Sequence, residues 1–337
     1  MPRNPHDSFK YQDRPSKKGS RPRTKTRPEH KDAVTGFVTG VDRGRYTVLV
    51  AKDQNITAVK AKDLRKERIV CGDQVDLVGD VSGNPDTLAR IVRIQERTTV
   101  LRRTADDNDP YERIIVANAQ QLVIVVALAD PTPRTGMIDR CLVAGFSAGM
   151  DTVLCLTKAD LAPADELIEL YEPLGVQVVV TQPNSAAKSP GIVELENLLT
   201  GKISVFVGHS GVGKSTLVNR LTPKAQRTTG KVNTVTGRGR HTSTSAVVIK
   251  VPHLADTWVI DTPGVRSFGL AHITNNDVIK GFTDLSEVIE QCPRGCTHLE
   301  NAPDCGLDDW LKEMSSDQVE SAKLRVISLR RILTAKS

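Results

Sequence analysis

The 337-residue sequence contains no long hydrophobic run. Its longest uninterrupted apolar stretch, Leu122 to Ala129, has eight residues, whereas a helix needs about 20 to cross a bilayer. The first residues are polar and basic and lack the apolar core of a secretory signal. We therefore expect neither a membrane partner nor secretion.

Cysteine is also scarce, with six residues in the chain. Cys71, Cys141 and Cys155 are scattered along the sequence, two of them in apolar surroundings, as is typical of unpaired core thiols. The other three lie close together beside a histidine. Scattered thiols plus such a cluster indicate a reducing compartment, so we expect a cytoplasmic protein.

Charge is concentrated at the N-terminus. Residues 1–32 hold ten Lys or Arg and four Asp or Glu, an excess of +6 that equals the formal net charge of the whole chain. This stretch is rich in proline and poor in apolar residues, which predicts a disordered tail. Such a tail either solubilises the protein or adds non-specific affinity for RNA.

A phosphate-binding loop is the clearest motif. A β-branched strand, Ile203 to Val207, precedes it, and a helix, Ser215 to Leu221, follows it. Glycines in such a loop let backbone N–H groups surround phosphates at the helix N-terminus. Lys214 is predicted to neutralise the β- and γ-phosphates and assist catalysis, and Ser215 to ligate Mg²⁺. The nucleotide-binding residues predicted here are Gly208, His209, Ser210, Gly211, Val212, Gly213, Lys214, Ser215 and Thr216.

A second phosphate-side element follows the predicted strand Thr257 to Ile260. Asp261 would supply a carboxylate to Mg²⁺, and Gly264 a backbone N–H to the γ-phosphate. Alone, this Asp-Thr-Pro-Gly sequence would only indicate a turn. Val265 stands where many GTPases carry the glutamine that orients the attacking water, which excludes that route of catalysis.

Guanine recognition is predicted for Thr157, Lys158, Ala159 and Asp160, which follow the strand Thr152 to Leu156. The Asp160 carboxylate can accept hydrogen bonds from two guanine donors that adenine lacks, while the Lys158 stem packs over the base. Thr157 stands where asparagine is usual, and its hydroxyl would replace part of the amide's function.

A short loop, Asn184-Ser185-Ala186, follows the predicted strand Val176 to Thr181. Ser185 and Ala186 would support the guanine from behind with a backbone N–H. Both base-reading segments precede the phosphate loop, which inverts the usual order of a GTPase domain and indicates a circular permutation.

The segment Gly230 to Ser245 is rich in Thr, Gly and Arg without apolar periodicity, as expected for a switch that closes over the γ-phosphate. A hydroxyl of Thr242, Ser243 or Thr244 would reach Mg²⁺, and the sequence does not say which. His241 could be a plain surface histidine. The missing glutamine makes it the leading candidate to position the water.

The remaining patterns indicate the architecture. The strand Gln121 to Ala129 is apolar enough for the middle of a parallel sheet, and Ile138–Ala148 and Asp165–Leu170 are predicted crossover helices. Residues 33–103 alternate apolar and polar positions in four or five short strands, which suits a small OB-like barrel. The strand segments are 34–50, 56–60, 74–78 and 88–97.

A metal site is predicted near the C-terminus. Cys292, Cys296, His298 and Cys305 supply four N and S ligands within fourteen residues, the set of a closed tetrahedral zinc site. One structural zinc per chain is expected. The alternative is a group of unligated cysteines.

The order Thr-Lys-Ala-Asp, Asn-Ser-Ala, phosphate loop, Gly-Arg-His-Thr-Ser-Thr, Asp-Thr-Pro-Gly-Val resembles the RsgA/YjeQ family of circularly permuted, ribosome small subunit-dependent GTPases. The resemblance runs from about Ala33 to the C-terminus. It implies a multidomain fold: an N-terminal OB-fold β-barrel, a central circularly permuted α/β P-loop GTPase domain and a mainly helical zinc-binding C-terminal domain. The expected boundaries are 1–32 for the tail, 33–103, 104–275 and 276–337.

The resemblance also implies an activity. A monomer would bind GTP with Mg²⁺, hydrolyse it to GDP and phosphate when stimulated by the small ribosomal subunit, and act late in that subunit's maturation. The barrel would contact ribosomal RNA, and a basic stretch would suit phosphate contacts. That stretch comprises Arg90, Arg93, Arg97, Arg102 and Arg103.

Two other functions remain open at this stage. A permuted GTPase for large-subunit assembly would not be expected to carry the barrel or the zinc cluster, and a metabolic NTPase or kinase would need a recognisable acceptor site. The basic helix predicted from Gln318 to Leu333 either closes its domain or contacts RNA.

Overall fold

The computed structural model contains a small barrel, a layered α/β sheet and a C-terminal group of helices. It describes residues 30–51, 54–84, 86–104, 112–182, 189–223, 246–263, 274–279, 281–315 and 319–336. No helix in these ranges combines the length and apolar character needed to cross a bilayer.

Five strands form the barrel. The strands are β1 (Val34–Asp42), β2 (Arg45–Val50), β3 (Gln54–Lys60), β4 (Gln74–Gly79) and β5 (Ala89–Ile94). They pair in the order β1-β2-β3-β5-β4, and β4 pairs again with β1 to close the barrel. Alternate residues point inward, so Val48, Ile56, Leu77 and Ile91 form its core. The predicted OB-like barrel is confirmed.

The basic stretch is only partly available to a partner. The Arg97 guanidinium donates to the fully buried Asp73 carboxylate at 2.6 and 2.9 Å, and this bond raises the pKa of Arg97 further. Arg102 pairs with Glu112 at 2.8 Å. Arg90 and Arg93 are exposed on the surface of β5, where Arg93 also lies 3.3 Å from the Asp76 carboxylate. Arg97 is therefore a structural cation, contrary to its predicted phosphate contact.

The central sheet carries the parallel strands of a doubly wound fold. The strands are β8 (Gln121–Ala127), β9 (Asp151–Thr157), β10 (Gln177–Val180), β11 (Ile203–Gly208), β12 (Val247–Lys250) and β13 (Trp258–Asp261). Their order is β10-β9-β8-β11-β13-β12, and all but β12 run parallel. The apolar run in β8 is buried on both faces, as predicted.

Helices cover both faces of this sheet. They are α1 (Thr135–Ser147), α2 (Asp165–Tyr171), α3 (Pro190–Leu199) and α4 (Lys214–Leu221). One core lies between the sheet and α1, and the other between the sheet and α3 with α4. The predicted crossover helices are confirmed, with α1 beginning three residues before Ile138.

The barrel is joined to the sheet at its edge. Gly40 of β1 pairs with Val247 of β12, which makes one 11-stranded sheet. The Cys71 thiol donates to the carbonyl of Ala246 at 3.1 Å. A separate hairpin, β6 (Val100–Arg103) with β7 (Arg113–Ala117), spans the expected boundary at residues 103 and 104.

Four α-helices follow β13 in the part of the chain that the structure describes. They are α5 (Asn275–Ile279), α6 (Ser286–Glu290), α7 (Gly306–Glu313) and α8 (Val319–Lys336). Arginines of α8 turn inward: Arg325 donates to Asp284 at 2.7 Å and to the Pro173 carbonyl at 3.0 Å, and Arg331 pairs with Asp139 of α1 at 3.1 Å. Of the two roles left open for this helix, its arginines favour closing the domain.

The Arg331–Asp139 pair supports a stability prediction. Asp139 is 2% exposed, and burial raises the pKa of its carboxyl. Arg331→Met keeps the apolar stem but leaves this charge without its cation, so we expect a loss of about 3 kcal/mol in the free energy of unfolding at neutral pH. Chemical denaturation measures it.

A pH series and a control sharpen the test. Because the Arg331 cation lowers the pKa of Asp139, its removal makes the folded variant bind a proton more readily than the folded parent, and the loss should shrink as the pH falls and the carboxyl becomes neutral. Lys312→Met removes an exposed partner of Asp309 and should leave the free energy of unfolding nearly unchanged, because solvent screens an exposed pair. Equal losses in both variants would contradict a buried, stabilising pair.

Candidate functional site

The phosphate loop connects β11 to α4 at the carboxyl edge of the sheet. Gly211 and Gly213 both adopt φ +87°, a left-handed conformation that L side chains rarely adopt. Gly213 immediately precedes α4, which begins at Lys214. Ser215 and Thr216 are exposed in the first turn, where unpaired backbone N–H groups and the helix dipole favour an anion.

Lys214 and Asp261 meet at this edge. The Lys214 ammonium contacts the Asp261 carboxylate and donates to the Thr262 carbonyl at 2.5 Å. Thr262 is fixed in turn, because its hydroxyl donates to the Phe206 carbonyl of β11 at 2.7 Å. The predicted phosphate-binding cation and the predicted Mg²⁺ ligand therefore lie side by side, although 47 positions separate them.

The loop proposed to read the base lies next to the phosphate loop. Thr157 ends β9, and its fully buried hydroxyl donates to the Val212 carbonyl at 2.6 Å. Lys158 has φ +58° and contacts the Asp130 carbonyl. Asp160 is exposed, so its carboxylate is free to meet a ligand. Tertiary structure thus brings together the two motifs that the permutation separates in sequence.

Several predicted site residues lie outside the described part of the chain. They are Ser185, Ala186, His241, Thr242, Ser243, Thr244 and Gly264, together with Val265. Their roles remain predictions.

An apolar cavity lies beside the phosphate loop. It has about 410 Å³ of empty space including its open mouth, and its walls include Val125, Pro131, Met137, Ile138 and Val212. These walls offer almost no polar atoms, so a triphosphate would bind along the loop N–H groups instead.

The four predicted metal ligands converge near the C-terminus. Their ligand atoms all lie within 4.8 Å of one another, close to the roughly 4 Å spacing of a tetrahedral site with S and N ligands. The ring Nδ1 of His298 is buried without a hydrogen-bond partner, as expected for a nitrogen that binds metal. Backbone N–H groups of His298 and Gly306 donate to the sulfurs of Cys296 and Cys292.

Electrostatics also fit a cation at this cluster. Burial raises the pKa of the Cys292 thiol to about 11, so a thiolate at neutral pH needs a nearby positive charge. Burial, with Arg330 nearby, lowers the pKa of His298 and keeps its ring neutral, which is the ligand form. The residues fit a metal ion.

Comparisons with known proteins agree with this geometry. A family model described as RsgA GTPase matches residues 94–271. The chain is 38% identical over 250 residues to the small ribosomal subunit biogenesis GTPase RsgA of Alcanivorax borkumensis, spanning 72% of this chain and 67% of that protein. The chain belongs to the RsgA GTPase family.

Solved structures support the same fold. The crystal structure of YjeQ from Thermotoga maritima matches with a TM-score of 0.61 at 26% identity, covering 88% of this chain and 98% of that one. YloQ, described as a circularly permuted GTPase, matches with a TM-score of 0.58 at 23% identity over 90% of this chain and 97% of its own, which shows the fold alone. The permuted GTPase fold is confirmed.

The sequence of this RsgA family member did not indicate that Arg330 supports the cluster that contains His298. Arg330 donates to the His298 carbonyl at 3.2 Å and to Asp308 at 2.8 Å, which connects α8 to the cluster of candidate metal ligands. No local signal marks this contact, since the partners lie far apart in sequence and a basic helix equally suits RNA.

The convergence of the four candidate ligands leads to a prediction about the metal content of the protein. Purified protein should contain about one metal ion per chain, and Cys296→Ala should lower both the metal content and the free energy of unfolding, since binding of the ion stabilises the folded segment. Elemental analysis and thermal unfolding measure the two effects. Cys141→Ala, which removes a buried thiol outside the cluster, should lower stability only. Full metal content in the Cys296→Ala protein would contradict the site.

Proposed function

We propose that this protein hydrolyses GTP to GDP and phosphate as a late assembly factor of the small ribosomal subunit. The observation that carries the proposal is the meeting of Lys214 with Asp261 at one sheet edge, next to the loop that ends in Asp160. The family relation and the printed function of the RsgA relative support the same conclusion.

Each residue at this edge has a proposed role. Lys214 would bind the β- and γ-phosphates, and Asp160 would accept the guanine donors. Ser215 and Asp261 would hold Mg²⁺, whose charge offsets that of the phosphates. Hydrogen bonds from the loop N–H groups would orient the triphosphate at the start of α4.

We propose His241 as the residue that positions the attacking water. Val265 offers no hydrogen bond where a glutamine would orient water, and His241 precedes the hydroxyls of Thr242, Ser243 and Thr244. A catalytic group that only the ribosomal subunit holds in place would make hydrolysis slow in the free protein.

The flanking parts have proposed roles as well. Zinc is the metal that best suits three thiolates and one imidazole, and here it would be structural, because all four positions of a tetrahedron are filled by protein. The barrel would contact ribosomal RNA with its exposed arginines Arg90 and Arg93, helped by the basic tail. We propose that the protein acts as a cytoplasmic monomer.

Lys214→Ala tests the phosphate site. The rate of GTP hydrolysis should fall on the order of 100-fold or more, because the loop loses the cation that offsets phosphate charge. Lys202→Ala is a matched control. Lys202 pairs with Asp151 and immediately precedes β11, at the end of the strand away from the phosphate loop. Its loss should leave the rate of hydrolysis unchanged. Retained turnover in the Lys214 variant would refute the assignment.

His241→Ala tests activation by the ribosome. Purified small subunits should raise the GTPase rate of the parent protein well above that with large subunits, and the variant should bind GTP normally but lose this stimulation. His253→Ala, which removes a histidine paired with Glu196, should be stimulated like the parent. Equal stimulation of the His241 variant would exclude it as the catalytic group.

The same GTPase assay tests the proposed function in assembly of the small ribosomal subunit. Stimulation by large subunits alone would favour the large-subunit alternative. A parent protein that neither subunit stimulates would overturn the assembly-factor function.

A further inference from the structure

Three side chains from different helices meet near the start of α1. Tyr171, the last residue of α2, is 0% exposed, and its hydroxyl donates to the Asp139 carboxylate at 3.0 Å. The Arg331 guanidinium of α8 lies 3.1 Å from the same carboxylate, and its central carbon lies 4.8 Å from the centre of the Tyr171 ring. We call Tyr171, Asp139 and Arg331 the α1 anchor.

The α1 anchor holds the end of the helix that local sequence leaves weakly fixed. Within the described part of the chain, Arg134 before the helix makes no capping side-chain hydrogen bond. The Tyr171 hydroxyl oxygen, however, also lies 3.2 Å from the carbonyl of Thr135, the first residue of α1. The far end of α1 is fixed by packing, because a Cβ added to Gly145 would lie 2.7 Å from the Thr152 side chain of β9.

The start of α1 adjoins both loops of the candidate nucleotide site. Pro131 belongs to the lead-in loop, residues 128–134, and a Cβ added to Gly211 of the phosphate loop would lie 3.7 Å from its Cδ. The Lys158 ammonium contacts the carbonyl of Asp130 in the same lead-in loop. The first turn of α1 and the phosphate loop are also walls of one apolar cavity. A shift of this turn would therefore move the lead-in loop against both motifs.

The other side of the α1 anchor connects to the candidate metal cluster. Arg330, next to Arg331 in α8, donates to the His298 carbonyl at 3.2 Å and to Asp308 at 2.8 Å. Adjacent arginines of one helix thus contact the cluster and the α1 anchor. Because a helix is a rigid element, a displacement at the cluster would be carried to the start of α1.

We propose that Tyr171 and Arg331 are positioning residues through which the seating of α8 against α1 sets the nucleotide affinity of the phosphate loop. A displacement of the C-terminal segment should then weaken nucleotide binding. Bound nucleotide should hold α8 in place to the same extent, because coupling between two sites is reciprocal. The inference rests on the proposed GTP-binding function.

Two variants remove parts of the α1 anchor, and calorimetric titration with GDP and GTP measures the effect. Tyr171→Phe keeps the ring beside Arg331 and removes the hydroxyl, whereas Arg331→Met keeps the apolar stem and removes the cation. Each should weaken nucleotide binding by about fivefold, the lower end of typical coupling between separate sites. The double variant should lose little more than either single variant, because both changes act through Asp139.

Arg325→Met is the matched control. Arg325 also belongs to α8, pairs with the Asp284 carboxylate at 2.7 Å and lies 4.5 Å from the centre of the Phe282 ring, but these partners precede α6 and do not belong to α1. This variant should lose stability and keep the nucleotide affinity of the parent. Chemical denaturation of every variant, with titrations at a temperature where each is folded, separates the two effects.

Hydrogen exchange tests the reciprocal effect. Saturating GDP should slow the exchange of backbone amides in α8 of the parent protein, since bound nucleotide favours the seated helix. The slowing should be smaller in the Tyr171→Phe protein, whose α1 anchor is incomplete.

Each outcome has a defined meaning. Parent-like affinity in the folded Tyr171→Phe and Arg331→Met proteins, or an equal loss in the Arg325→Met protein, would overturn the positioning role. Exchange in α8 of the parent that does not respond to GDP would overturn it too. If Arg331→Met does not fold, Tyr171→Phe decides, because it removes one hydroxyl and keeps the packing. A parent protein that binds neither GTP nor GDP would instead refute the proposed function.

Discussion

The parallel pairing of β9, β8, β11 and β13 is the constraint on which the rest of the structure depends. Parallel strands end at the same edge, so residues that follow them in sequence are collected there whatever their order along the chain. Thr157 ends β9, the phosphate loop follows β11 and Asp261 ends β13. A permutation changes the connections between these strands and leaves the edge intact.

The half-buried arginines of the C-terminal helix α8 have a different task. Arg325 of α8 reaches Asp284 in a short 3-10 helix before α6, Arg330 reaches His298 of the cysteine and histidine cluster, and Arg331 reaches Asp139 of α1. Arg325 and Arg330 each donate two or more hydrogen bonds, which the planar guanidinium allows. One helix therefore connects the Cys292–Cys305 cluster to α1 and the sheet.

The barrel contacts the sheet at residues that follow the predicted switch in sequence. Gly40 pairs with Val247, and Cys71 donates to the Ala246 carbonyl. Ala246 and Val247 immediately follow the segment predicted to be the switch. A ligand on the barrel and a change in the switch would thus act on neighbouring backbone.

The sequence by itself determined the local chemistry: the glycine pattern of the phosphate loop, the apolar run of β8, the alternation in the barrel and the spacing of Cys292, Cys296, His298 and Cys305. These features follow from neighbouring residues, whose periodicity and side-chain types have direct structural meaning. Tertiary structure alone decided which polar and charged groups remain available to a ligand. Arg97 pairs with Asp73 and Arg331 with Asp139, while the Thr157 hydroxyl donates to the Val212 carbonyl, 55 positions away. Such pairings depend on how distant elements pack, and composition gives no information about that.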